Sequence, residues 1–527
     1  MQGYLSLVLH AHLPFVRHPE YEEFLEEDWI YEAITETYLP LLFAFDRLRK
    51  DAVPFRLTMT LSPPLISMLR DGLLMRRYAR RIDRLCQLAE KEVRRLEGDD
   101  ANRALAAFYL ERFHTLREHF HIGCNGDLVG KFGEFQEQGF LEIITSGATH
   151  ALLPMFQRYP EAVRAQISIA VRHYRQTFGR SPQGIWLPEC GYYPGLDRFL
   201  ADEGIRYFFV DTHGILDASP RPRYGVYAPI FTESGAAAFG RDPESSQQVW
   251  SADCGYPGDP WYREFYRDIG YDLDLDYIRP YIQPTGDRKN TGIKYYRITD
   301  HRGGPKALYD REKALERVRT HAADFVTNRG RQIRYLSSVM PGRPPIVVAP
   351  YDAELFGHWW FEGPEFIEEV IRRTAAQDVF RLAAPSDYLR ENPENQIAVP
   401  PMCSWGAGGY VDVWLDESND WIYRHLYKAT ERMIRLAGLF PAAEGVVKRA
   451  LNQAARELLL AQASDWAFIM KSGTMTQYAA RRTKEHLLRF NRLYEQVQAN
   501  AIDEGWLTRT EQRDNIFPDV DYRIYRR

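Results

Sequence analysis

Six short stretches in the first 390 or so residues are apolar without interruption: "YLSLVLHAH", "FRLTMTLS", "LEIITSG", "GIWLPE", "RYFFVDT" and "PIVVAPYD". A strand with one wet face alternates apolar and polar residues. An unbroken run of this length describes a strand buried on both faces, as in parallel sheets covered by helices. Helical patterns lie between the runs, among them "EAITETYLPLLFAFDRLRKD" and "YPEAVRAQISIAVRHYRQTFG", the second closed by a glycine just past its basic end. Alternation of strand and helix predicts a (β/α) barrel, with a doubly wound open sheet as the second choice. In both folds the ligand site lies at the carboxyl ends of the strands.

The chain has 527 residues, 45% of them apolar and 26% charged, enough for a large barrel plus further elements and unlike a disordered chain. A net charge of -5 gives no reason to expect nucleic acid or an anionic membrane as partner. No stretch approaches the roughly 20 apolar residues of a membrane span. The N-terminal "MQGYLSLVLHAHLPF" has no basic flank and reads as a first strand, not a signal peptide. Cys86, Cys124, Cys190, Cys254 and Cys403 form no CxxC pair, so reduced thiols in a cytoplasmic protein are expected.

Charged helical sequence from 66 to 140 interrupts the strand–helix rhythm and reads as an insertion, its basic run "MRRYARRIDR" being taken as a solvated face. Residues from about 216 to 305 read as a long functional loop region. After about residue 400 the strand signals cease, and "DWIYRHLYKATERMIRLAGLF" and "VVKRALNQAARELLLAQASDWAFIM" have amphipathic helical spacing. The expected organisation is a barrel over 1–398 with the insertion at 66–140, and a C-terminal helical domain over 399–527 that completes the site.

The apolar runs end in ionisable residues: His10 and His12, which share a strand face; His150; Glu189; Asp211 and His213; Asp352 and Glu354. No common stability requirement puts such groups at one end of a barrel. Two chemistries fit. Glu189 and Asp352 can be a carboxylate pair for glycoside chemistry, about 5 to 5.5 Å apart if the reaction retains configuration. Alternatively, His10, His12, His150 and Asp352 can hold a divalent metal, as in barrel amidohydrolases; the H-x-H spacing alone is a weak signal for this. Aromatic content favours the first: 13% of residues, with Trp359 and Trp360 following Asp352, and Trp405 and Trp414 flanking a glycine-rich loop. Indoles exposed there would stack on an extended sugar chain.

Five separated motifs, "HAHLPF", "GFLEIITSGATHALLP", "WLPECGY", "APYDAELFGHWWFEGP" and "SWGAGGYVDVWLDESNDWIYRHL", resemble glycoside hydrolase family 57, and within it the 1,4-α-glucan branching enzymes and close relatives. The resemblance implies a (β/α)7 barrel with a helical insertion and a helical C-terminal domain, and a retaining double displacement on α-1,4-glucan without metal or cofactor. It implies Glu189 as nucleophile and Asp352 as general acid and base. His10, His12, His150, Trp360, Trp405, Trp414 and Asp465 would bind substrate, with Trp261 on the acceptor side. It also places residues 231–251 over the cleft, as a short loop with Phe239 its interior aromatic. Such a loop would shield an intermediate poorly from water and so favour an α-amylase-like hydrolase as the alternative. A metal-dependent amidohydrolase and a non-catalytic glucan-binding protein remain the alternatives of other classes, and oligomeric state is left open.

Overall fold

The uninterrupted apolar runs fold as strands, and side chains on both of their faces are buried. A computed structural model describes residues 1–251, 255–282, 286–299 and 305–527, so Cys254 lies outside the described residues. The strands are β1 (Gly3–Ala11), β2 (Leu57–Leu61), β3 (Leu141–Ile144), β4 (Gly184–Ile185), β5 (Tyr207–Val210), β6 (Ile230–Phe231), β7 (Ala237–Gly240), β8 (Ile346–Asp352) and β9 (Phe380–Leu382). Parallel pairing links β3, β2, β1 and β8, and separately β4, β5 and β7. Two contacts join these arcs: a parallel bridge between Thr145 and Ile185, and an Asp242 N–H that donates to the Val348 carbonyl at 2.9 Å. Seven parallel strands thus close a ring, β6 pairs antiparallel on the outside of β7, and β9 pairs with the start of β1. The fold is the expected (β/α)7 barrel, not the open sheet.

Period two along each strand decides what the barrel encloses. Val8, Ile144, Trp186, Tyr207, Phe209, Phe239, Ile346 and Val348 form one buried cluster distinct from the main core. Val8 and His10 share a face, as do Val348 and Asp352, so the residues that follow this filling at the carboxyl ends face the barrel axis.

The structure corrects two expectations. Residues 231–251 are not a loop over the cleft: they hold the end of β6, all of β7 and the helix Pro243–Trp250, and Phe239 is 1% exposed inside the barrel. β7 escapes a sequence reading because "AAFG" lacks the β-branched residues that mark a strand. The basic run of the insertion is not simply a solvated face either. In the helix Gly72–Arg95, Arg77 and Arg81 are buried, paired with Glu27 at 2.7 Å and with Asp28 at 3.0 Å.

Beyond β9 the helices Trp421–Leu439, Gly445–Ala461, Ser464–Ser472 and Thr476–Gln498 pack together. The span expected as one helix over 446–470 breaks at Ala463 (φ -54°, ψ 130°), which forms an antiparallel bridge with Ala151 beyond β3. The break contains neither glycine nor proline. It exists because the chain turns there to dock on the barrel.

Candidate active site

His10 and Asp352 are aligned in register on adjacent strands, β1 and β8, at the carboxyl end of the ring. They line a cavity of about 560 Å³ together with His12, His150, Glu189, Arg241, Glu354, Trp405, Trp414 and Asp465. Eight of the ten expected site residues therefore meet in one place. Trp261 and Trp360 do not. Trp360 is 1% exposed and packs in the core against Phe366 and Tyr262, while Trp261 lies between the Arg297 and Lys313 cations, each 4.5 Å from its ring. In the adjacent pair Trp359–Trp360 it is Trp359 that faces the cavity, 56% exposed and stacked on Phe265 at 4.5 Å. Asp211 and His213 have local roles: Asp211 caps the Thr212 N–H, and His213 bonds the Gly409 carbonyl.

Glu189 sits in a tight turn after β4 with φ 60° and ψ 23°, followed by Cys190 at φ 51°. Left-handed backbone at non-glycine residues costs on the order of 1 kcal/mol or more each and persists only where surroundings enforce it. Here the Glu189 carbonyl accepts from the Trp405 N–H at 2.9 Å, and Tyr192 and Cys403 exchange two backbone hydrogen bonds at 3.0 and 3.1 Å. The segment after residue 400 thus clamps the turn from outside the barrel. The side chain is held as firmly: Trp405 Nε1–H donates to Oε2 at 2.9 Å and Ser464 Oγ–H donates to Oε1 at 2.8 Å. Ser464 opens the helix that follows the break at Ala463, and sequence reasoning missed it because a serine after an amphipathic helix carries no distinguishing signal.

The histidines are interlocked. His10 Nε2 and His150 Nε2 lie 3.1 Å apart, His150 Nδ1 is 3.0 Å from Ser464 Oγ, and the His12 and His150 rings stack at 3.8 Å. His12 Nε2 meets both oxygens of Asp465 at 3.1 Å, and its Nδ1 reaches Ser62 Oγ at 2.8 Å. Burial, then the charge of His12, keeps His10 and His150 titrating far below the ordinary histidine range. Burial alone would lower His12 too, but the Asp465 carboxylate outweighs it and the net direction is upward. Nitrogen and oxygen atoms of His12, His150 and Asp465 lie within 4.8 Å of one another; His10 and Asp352, expected in the metal reading, are not part of that group.

Burial pushes three carboxyls up. Glu189 rises to about 7, opposed by the Trp405 and Ser464 hydrogen bonds; Asp352 rises to about 6, opposed by His12 and Arg241; Glu354 rises to about 7, opposed by the Tyr38 hydroxyl. The Asp465 carboxylate, and after it Asp352, adds to the rise at Glu189. Burial leaves Glu189 higher than Asp352 even with its donors in place, so the donors orient it and offset part of the rise. Glu189 receives two, whereas no side-chain hydrogen bond reaches Asp352 among the described residues.

The aromatic rings are arranged differently from the expected exposed platform. Trp414 is 1% exposed, and a Cβ at Gly406 would lie 2.6 Å from its Cζ3, so the glycine-rich loop closes over the indole. Trp405 is half-buried, edge-on to Trp186 at 4.9 Å. The rings open to solvent at the cavity mouth are Trp250, Trp359 and Phe468, which come from three separate elements.

Comparison with known proteins gives two family matches. The profile of glycosyl hydrolase family 57 matches residues 6–401, and that of the 1,4-alpha-glucan branching enzyme C-terminal region matches residues 425–525. A 1,4-alpha-glucan branching enzyme of Thermococcus kodakarensis is 36% identical over 99% of this chain and 78% of its own. Among solved structures, the alpha-amylase AmyC of Thermotoga maritima is 48% identical with a TM-score of 0.94, covering 100% of this chain and 99% of its own. A family 57 branching enzyme of Pyrococcus horikoshii is 35% identical with a TM-score of 0.89, covering 100% and 97%.

Proposed function

The chain belongs to glycosyl hydrolase family 57, and we propose that it is a retaining 1,4-α-glucan branching enzyme. The observation that carries the mechanism is the unequal provision of its two buried carboxyls: among the described residues, two side-chain donors reach Glu189 and none reaches Asp352. The two hydrogen bonds favour the Glu189 anion against its burial and fix its direction for attack; Asp352, raised by burial to about 6, can carry a proton to give away. In the first half-reaction a Glu189 oxygen attacks C1 of the donor glucan. The Asp352 proton passes to the departing 4-oxygen, leaving a glucosyl ester on Glu189. In the second, Asp352 takes the proton of an acceptor 6-hydroxyl, whose oxygen attacks C1 and frees Glu189. One α-1,4 link is replaced by one α-1,6 link. His12, bonded to Asp465, lines the same cavity, and the exposed Trp359 at its mouth offers its ring to the bound chain. No step needs a metal.

Transfer in place of hydrolysis is supported by the branching-enzyme profile over the C-terminal helices and by the branching enzymes among the relatives. Work on intracellular glucan, in glycogen synthesis in the cytoplasm, belongs to the same proposal and is supported by free thiols at Cys86, Cys124, Cys190 and Cys403. No described helix is long and apolar enough to cross a membrane. A second reading, an α-amylase-like hydrolase with the same carboxylates, is favoured by the 48% identity to the Thermotoga maritima enzyme. Incubation with amylose, counting both α-1,6 branch points and new reducing ends, separates the two. Branching gives branch points well in excess of net reducing ends; reducing ends without branch points would establish the hydrolase.

A further inference from the structure

We propose that Ser464 is a positioning residue for the nucleophile, the middle of a one-way hydrogen-bond chain that runs from His10 through His150 to Glu189 and holds the carboxylate in its attacking form. The inference rests on the reading of Glu189 as nucleophile and adds what prepares it. An ionised carboxylate only accepts, so the Ser464 hydroxyl at 2.8 Å must donate to it. The serine oxygen is then an acceptor, and His150 Nδ1 at 3.0 Å must carry the proton. His150, kept neutral by burial, has a bare Nε2, which accepts from His10 Nε2–H at 3.1 Å. The chain ends at His10 Nδ1, which is buried and has no hydrogen-bond partner among the described residues.

That last atom gives the chain its direction. In the polarity just described His10 Nδ1 is a bare nitrogen lone pair. If Glu189 were protonated and donated to Ser464, every proton along the chain would reverse, and His10 Nδ1 would become a buried N–H with nothing to bond. An orphaned buried donor is the costlier of the two. The arrangement therefore opposes the burial that raises Glu189, and does so from atoms contributed by β1, the loop after β3 and the C-terminal helices.

The test is the pH dependence of kcat/KM on amylose for the wild type, Ser464→Ala and Ser464→Thr. The other charged groups around Glu189, namely Asp352, Asp465, His12 and Arg241, are unchanged in both variants. Ser464→Ala is expected to move the acidic limb upward by about one pH unit and to lower kcat/KM near pH 7 about tenfold, with Ser464→Thr restoring most of both. A superimposable profile, or a uniform loss at every pH, would overturn the proposal. Should Ser464→Ala fail to fold, imidazole nitrogen shifts in the wild type decide: protons on His150 Nδ1 and His10 Nε2 are required, and the opposite tautomers refute the chain. The underlying reading is checked separately with Glu189→Ala, an α-glucosyl fluoride donor and azide. β-Glucosyl azide identifies the nucleophile whatever Ser464 does, and wild-type turnover without it removes that reading alone.

Discussion

At the scale of single residues, the site is a contest between burial and hydrogen bonding at Glu189. Its ionisation in the folded protein near pH 7 lies above the ordinary carboxylate range, so the stability it contributes is present in acid and is lost as pH rises through about 7. Glu189→Gln, which cannot ionise, should therefore gain in Tm over the wild type as pH rises from 5 to 8, by about 3 °C, read by calorimetry, while losing turnover. Trp405→Phe keeps the ring and deletes the N–H that bonds Oε2. It is expected to lower kcat about tenfold to a hundredfold with little change in KM, measured by steady-state kinetics on maltoheptaose. Glu189 and Asp352 could be found in the sequence because each ends an apolar run at the predicted carboxyl end of a strand. The donors to Glu189 could not: Trp405 was legible as an aromatic near the site but not as a hydrogen-bond donor, and Ser464 lies 275 positions from its partner.

At the scale of elements, the site depends on three non-helical joints that sequence patterns barely mark. One is the left-handed turn at Glu189, another the break at Ala463, and the third the corner after β8. There Gly357 has φ 120°, and a Cβ would lie 1.8 Å from the Glu36 carbonyl oxygen. Gly357→Ala is accordingly expected to lose more than about 3 kcal/mol of stability, seen as a lower denaturation midpoint, since both the backbone angle and the contact must give way. Six barrel strands were legible as apolar runs because burial on both faces leaves them no polar alternation. The seventh, β7, was not, because two alanines, a phenylalanine and a glycine have no strand signature until the ring around them demands a wall. The continuous helix expected over 446–470 failed for a related reason: tertiary docking, not local propensity, ends it.

At the scale of the whole molecule, a carboxylate pair sits at the floor of the barrel mouth while rings from separate segments stand around its rim. Trp359 is exposed and stacked on Phe265, and under the proposed transfer reaction an incoming chain would rest on it in preference to water. Trp359→Ala should raise the ratio of new reducing ends to α-1,6 branch points severalfold while leaving the rate of α-1,4 cleavage within about twofold, counted on amylose. The clamp on Glu189 also bears on how the enzyme is made. During synthesis the ribosome releases the barrel strands first, and the contacts that Cys403, Trp405 and Ser464 make with the Glu189 turn form later. A nascent chain that has grown only as far as β9 carries Glu189 and Asp352 without the Trp405 and Ser464 donors, so its Glu189 turn is left without the clamp that the finished chain provides.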